Sequence, residues 1–284
     1  MTIVRPLCAI SLVFVLTTGC SLLWSRAGVP PNPPIRVLVT DMKMDAPVTS
    51  PTDLHSFDEP PSSEIEPVLL AQLIEEVETR AQRLFTEQLA QQPGFTVVPF
   101  AEARRMRANL DSPQIELDGT QLRTLGAEAG ADVVLSGRLL DYGKVQWRYW
   151  VTGLVISMTT ETLIVGAATG FNPLIMLATA GSELVTDVPF WWGGAYVAGW
   201  AFRPVRVEVE ALQITGCEHR VWHEQELVIL IPGETLAKYP AKDRKRKEVQ
   251  LEVNLEQALT TLAQSAGREL RLKPCEQAQS ESPR

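Results

Sequence analysis

Apolar and polar positions alternate along this chain with two periods, and the places where one period gives way to the other mark its elements. Ile35 to Met42 is short, apolar and rich in β-branched residues, which predicts a buried strand. A polar, proline-rich stretch from Asp45 to Ser62 reads as a loop long enough to be mobile or functional. Ser63 stands three residues before Glu66, with Pro67 behind it, a capping-box pattern that opens a helix running to Gln92. Leu69, Leu73, Val77, Leu84 and Leu89 mark its inner face, and Pro93-Gly94 stops it. Phe95 to Pro99 predicts a second strand, Phe100 to Leu110 and Thr120 to Ala129 two shorter helices, and Asp132 to Tyr142 a third strand. Val205 to Glu210 alternates strictly, so one of its faces is buried and the other wet. A turn over Thr215 to His219 returns the chain through Arg220 to Ile231, and a last helix spans Arg244 to Leu270. The class these elements predict is α/β: a mixed sheet flanked by helices.

Between the third strand and the hairpin the pattern changes. Thr162 to Ser182 holds no charged residue, and Glu161 alone interrupts the run back to Tyr149. Gly170-Phe171-Asn172-Pro173 in its middle is a stop followed by a start, because glycine closes one helix and Asn-Pro opens the next. Two apolar helices are expected, Trp150 to Ala168 and Pro173 to Val185, the second only about 20 Å long and too short to cross a hydrocarbon core of about 30 Å alone. Trp147, Tyr149 and Trp150 precede this insert, and Phe190, Trp191, Trp192, Tyr196 and Trp200 follow it. Aromatic belts of this kind suit a membrane–water interface. Trp150, Phe171, Trp191, Trp192 and Trp200 are therefore the candidate contacts with a membrane or a partner. The pattern leaves three readings open: a hairpin packed on the sheet, a membrane-seated hairpin, and a seam between subunits.

The N-terminus adds an address. One basic residue, Arg5, precedes an apolar stretch from Leu7 to Leu16 and then Thr17-Thr18-Gly19-Cys20. The stretch is about half the length of a membrane span, which is the layout of a secretory signal. Small residues directly before a cysteine resemble the lipobox of bacterial lipoproteins, with Thr17 where leucine is usual. Residues 1–19 are thus expected to be removed and Cys20 to carry the lipid, with 20–34 a proline-rich tether. Ser21, by the same resemblance, points to the outer membrane and a periplasm-facing domain.

Composition narrows the partners. The net charge is −8, or −9 once Arg5 leaves with the signal, which argues against nucleic acid. The basic run Lys242 to Lys247 reads as a solvated helix start rather than a headgroup-binding patch. Cys217 and Cys275 remain in an oxidising compartment, where they either pair as a disulfide or stay independent. Cys217, His219 and His223 have metal-ligand chemistry at short spacing but lack a fourth ligand. No nucleophile elbow, phosphate-binding loop or zinc-protease motif occurs, and three histidines leave few candidates for a general base. No enzyme, metal or cofactor is expected.

The element order carries a resemblance. Phe95-Thr96-Val97-Val98-Pro99 before a helix, Gly126 and then Gly130 through Gly137 leading into a strand, and Thr215-Gly216 before Val221-Trp222 resemble one periplasmic α/β domain. It is the domain shared by the curli-secretion channel lipoprotein, the penicillin-binding-protein activator lipoprotein and the N-terminal domain of the Tol-system propeller protein. The likeness covers 35–146 and 205–271 and leaves 147–204 as an insert and 272–284 as a polar tail expected to be disordered. It implies a non-enzymatic envelope lipoprotein that binds an unidentified envelope protein within a secretion, transport or wall-assembly complex. The alternative it implies is a ring-forming homo-oligomeric pore subunit like the curli channel.

Overall fold

The computed structural model describes residues 33–110, 117–143, 147–193, 196–197, 200–215, 219–272 and 274. Strand β1 (Ile35–Met44) leads through a short helix α1 (Pro51–Leu54) to the long helix α2 (Glu66–Ala90) and strand β2 (Phe95–Val97). Helices α3 (Phe100–Ala108) and α4 (Gly119–Glu128) precede β3 (Val133–Asp141). A helical hairpin follows, α5 (Trp147–Ala168) and α6 (Pro173–Gly193). The chain then rejoins the sheet through β4 (Tyr196–Val197), β5 (Trp200–Gln213) and β6 (His219–Ile231), and ends in α7 (Gly233–Leu236) and α8 (Lys247–Glu269).

The strands form one mixed sheet in the order β2-β1-β3-β5-β4, with β6 on the far edge of β5. β1 runs parallel to both β2 and β3, joined by α2 and by α3–α4, whereas β3, β5 and β6 are antiparallel. This is the α/β architecture that the strand and helix periods predict.

Strand alternation sorts the core into two layers. Val37, Val39, Val133, Leu135, Val207 and Val209 face α2 and α8, whose Phe85, Leu89, Leu255, Leu259 and Leu262 complete the larger core. On the opposite face Leu38 and Val134 meet Met106, Leu122 and Leu125 of α3 and α4. Glu208, Glu210 and His223, on β5 and β6, belong to that second face; Glu210 and His223 are exposed and Glu208 half-buried.

Several local expectations are corrected. The loop over residues 45–62 is not free. Ser50 caps α1 in a reciprocal box with Asp53, and its hydroxyl donates to Glu66 at 2.8 Å. The Ser56 N–H donates to Glu248 at 2.9 Å, and the Lys247 N–H donates to the Ser56 hydroxyl at 2.7 Å. The expected box at Ser63 does not form, because Ile65 occupies the N-cap of α2 with no side-chain cap. Glu66, which would have closed it, is drawn to Ser50 instead. On α2 the fully buried face is Ala81, Phe85 and Leu89, while Leu73, Val77 and Leu84 are only partly covered. The basic run does open a helix, with Lys242, Lys245 and Arg246 exposed, while Arg244 donates to the carbonyls of Tyr239 and Ala237 and Lys247 to that of Thr52.

Candidate interaction site

The hairpin is built by local rules. Gly170 and Phe171 both adopt left-handed backbone, at φ +65° and +59°, and the Phe171 N–H donates back to the Gly166 carbonyl at 2.6 Å. That is a Schellman-type end to α5, with glycine relieving the strain at its own position and phenylalanine bearing it at the next. Asn172 then accepts from the Leu174 N–H at 3.1 Å and Pro173 opens α6. Gly166 lets the helices close at the tip, since a Cβ there would meet Met176 and Phe171 at 3.2 Å.

Helix α5 has 22 residues and α6 has 21, so each is about 31 to 33 Å long. The second helix is longer than its apolar segment Pro173–Val185 implied, because it continues through Pro189 to Gly193. The stretch Val151–Ala168 is long and apolar enough to cross a membrane, and only 11 % of it is buried. The helices pack mainly on each other. Leu154 and Glu183 lie buried, while Ile164, Leu177, Leu174 and Val185 are 62, 72, 77 and 76 % exposed.

The antiparallel pairing brings Trp150, in the first turn of α5, to the same end as Trp191 and Trp192, in the last turn of α6. Phe171 stands at the opposite end, at the tip, 61 % exposed. Trp200 does not belong to the helical insert. It begins β5, paired with Val197 of β4, so the sheet starts before the expected strand.

A cleft lies on the second face of the sheet, between Thr40, Asp41, Lys43, Ser136, Arg138 and Glu208. Its volume, about 170 Å³, is below the ~300 Å³ at which small-molecule pockets begin. Its charges are matched in pairs: Arg107 with Asp41 at 3.2 Å, Lys43 with Glu78 at 3.4 Å, and Arg138 with Glu208 at 2.7 Å. Burial pushes the Asp41 carboxyl up from its ordinary value, outweighing Arg107 beside it. The hydrogen bond from His223 at 2.8 Å, with Arg138 behind it, holds Glu208 below its ordinary value. The arrangement is a set of ion pairs, Arg107 reaching Asp41 from α3, Glu78 reaching Lys43 from α2 and Arg138 joining Glu208 across two strands.

Cys20, Cys217 and Cys275 lie outside the described residues. The two hairpin histidines are separated. A register shift between Ala211 and Leu212 passes over Val221, so His223 opposes Glu210 while His219 opposes Gln213. Glu210 and Gln213 point to opposite faces of β5, and the two imidazoles therefore lie on opposite sides of the sheet. Among the described residues no three His, Cys, Asp or Glu side chains cluster as a metal site.

No protein-family model and no curated protein sequence matches the chain. Among solved structures it is similar to the C-terminal domain of LpoB from Salmonella enterica, at 10 % identity and a TM-score of 0.29, over 69 % of this chain and 83 % of that one. It is similar to lipoprotein GNA1162 from Neisseria meningitidis at 11 % identity and 0.33, over 83 % and 99 %. A third likeness is to the hypothetical protein CT253 from Chlamydia trachomatis, at 9 % identity and 0.35, over 84 % and 98 %. One of the three, from Neisseria meningitidis, is itself a lipoprotein, and likenesses at about 10 % identity with TM-scores below 0.5 carry no argument about this chain.

Proposed function

We propose that the chain is a lipid-anchored protein of the bacterial envelope that works by binding and assembly rather than by catalysis. Cys20 carries the lipid, residues 20–34 hold the α/β body near the membrane, and the α5–α6 hairpin is the surface through which the protein engages its surroundings. The anchor sits in the outer membrane with the body facing the periplasm, a reading that Ser21 directly after the cysteine supports. The partner belongs to a secretion, transport or wall-assembly complex.

One observation carries this reading: the hairpin exposes large apolar side chains along both helices, while the sheet and its flanking helices bury a core without it. Monomers rarely leave apolar patches beyond a few hundred Å² in water, so something covers the hairpin. Ion pairs and a small cleft, by contrast, are common on any α/β sheet.

The test replaces residues 152–190 with a Gly-Ser linker, which spares β4 and β5. The shortened protein should keep a cooperative thermal melt by circular dichroism and lose its association with membranes or partners beyond that due to the lipid. Loss of the melt would show that the hairpin is part of the folding core, and the reading would fall.

A further inference from the structure

We infer that the hairpin is covered by the hydrocarbon of a lipid bilayer, with its aromatic end at one headgroup layer and its Phe171 tip at the other. This rests on the hairpin being the protein's engagement surface, and it names what engages it.

Three observations select a bilayer over a second protein surface. The first is the distribution of apolar residues. On α5, Val155, Ile156, Leu163 and Ile164 are exposed, and at about 100° per residue they sweep roughly half the helix circumference, the half turned away from α6. Leu174, Ile175, Leu177, Leu184 and Val185 do the same on α6. An interface with one protein covers one face and would leave the rest in water. Lipid surrounds the hairpin on all sides.

The second observation is length. Both helices, at about 31 to 33 Å, are as long as a hydrocarbon core of about 30 Å; α5 is apolar over the full span, and α6 over Pro173–Val185. Both are continuous α-helices, the form in which main-chain groups pair within the segment, as a lipid environment demands. The third is the disposition of polarity. Trp147, Tyr149, Trp150, Phe190, Trp191 and Trp192 fall at one end of the antiparallel pair. The four-residue link Thr169 to Asn172 falls at the other, at the level of headgroups and water.

Helices α5 and α6 carry three carboxylates. Glu183 is 4 % exposed, buried as intramembrane acids generally are. Asp187 stands six residues from the end of α6, about 9 Å from the aromatic end, and Glu161 is exposed seven residues from the end of α5, about 10 Å from the tip, so snorkelling or local thinning brings a headgroup layer to each of these two. The tether agrees as well: fourteen residues after Cys20 extend at most about 50 Å, so the lipid holds the body within reach of the bilayer the hairpin would enter.

The experiment uses the full lipidated protein reconstituted into phosphatidylethanolamine–phosphatidylglycerol vesicles. A hydrocarbon-soluble photoactivatable diazirine is activated, labelled peptides are mapped, and the mass of the detergent-extracted protein is measured. The expected result is labelling concentrated on residues 151–168 and 173–185, with α2, α8 and β6 unlabelled. The double variant Ile156→Asp, Leu184→Asp, at exposed positions near the middle of each helix, should lower that labelling about tenfold or more, because a charge near mid-bilayer strongly opposes insertion. Unchanged circular dichroism in detergent would show that the variant remains folded. An unlabelled hairpin in a multimeric protein would overturn the bilayer assignment and give the surface to a second copy. An unlabelled hairpin in a monomer would overturn the assignment together with the docking reading beneath it.

Discussion

Gly143, in the bend just after β3, has φ +86°, and a Cβ there would stand 2.4 Å from the Asp53 carbonyl oxygen. The left-handed backbone and the clash with a main-chain atom both oppose a side chain. Gly143→Ala should therefore cost roughly 3 kcal/mol and lower the melting temperature by several degrees. Gly130 is also left-handed, at φ +60°, yet has open space around it, so Gly130→Asn should be nearly neutral by the same melt. Glu208 offers a test by pH. Its carboxyl is held low, first by the His223 hydrogen bond and then by Arg138. A carboxylate with a depressed folded value adds stability above its ordinary titration range and loses it as pH falls through the lower folded value. The melting temperatures of wild type and Glu208→Gln should accordingly differ at neutral pH and converge in acid below that folded value. In His223→Ala the Glu208 titration, followed by carboxyl NMR, should move up.

At the scale of elements, the N-terminal half of α2 is held from outside rather than by its own cap. Ser50 closes the box on α1 and also donates to Glu66 at the first position of α2, so one hydroxyl ties two helix starts together. Ser50→Ala should cost about 1 kcal/mol, a fall of about 2–4 °C in melting temperature for a domain of this size. Ser63→Ala, at the position that the sequence pattern marks as the cap, should leave the melt unchanged because Ser63 is exposed and Ile65 occupies the N-cap. A measured loss at Ser63 equal to that at Ser50 would refute this account of how α2 begins. The same dependence on remote contacts holds for residues 51–56, fixed by Glu248 and Lys247 from the start of α8.

For the whole molecule, the sheet is closed by segments far apart in the chain. β3 lies between β1 and β5, and α8 packs across both α2 and the β5–β6 pair. Such long-range closure gains from a covalent staple. A Cys217–Cys275 disulfide would close a loop of nearly sixty residues and stabilise by about 4 kcal/mol in the chain-entropy model. Thiol titration of the unreduced, denatured mature protein is expected to find none, and reduction should lower the melting temperature. Two free thiols would make the pair independent residues.

The amino-acid sequence alone determined what local periodicity encodes. The order of strands and helices, the α/β class, the alternation of Val205 to Glu210 and the break at Gly170-Phe171-Asn172-Pro173 all follow from spacings of two or about 3.6 residues, legible within a short window. The apolar hairpin was legible for the same reason, since a run without charge needs no partner to be recognised. Only the tertiary structure decided what depends on contacts distant in sequence. Glu66 could close a box with Ser63 or reach Ser50, and the fold brings Ser50 to it. The apolar pattern ends the second helix at Val185, yet α6 runs on through Pro189 to Gly193, although proline removes a donor. His219 and His223 look like neighbours at a spacing of four, but a one-residue register shift in β6 moves every side chain beyond it to the other face. Exposure of the hairpin was beyond the sequence as well: an apolar helix reads the same buried or bare, and only the packing of the sheet, which closes its core with α2 and α8, leaves α5 and α6 outside it.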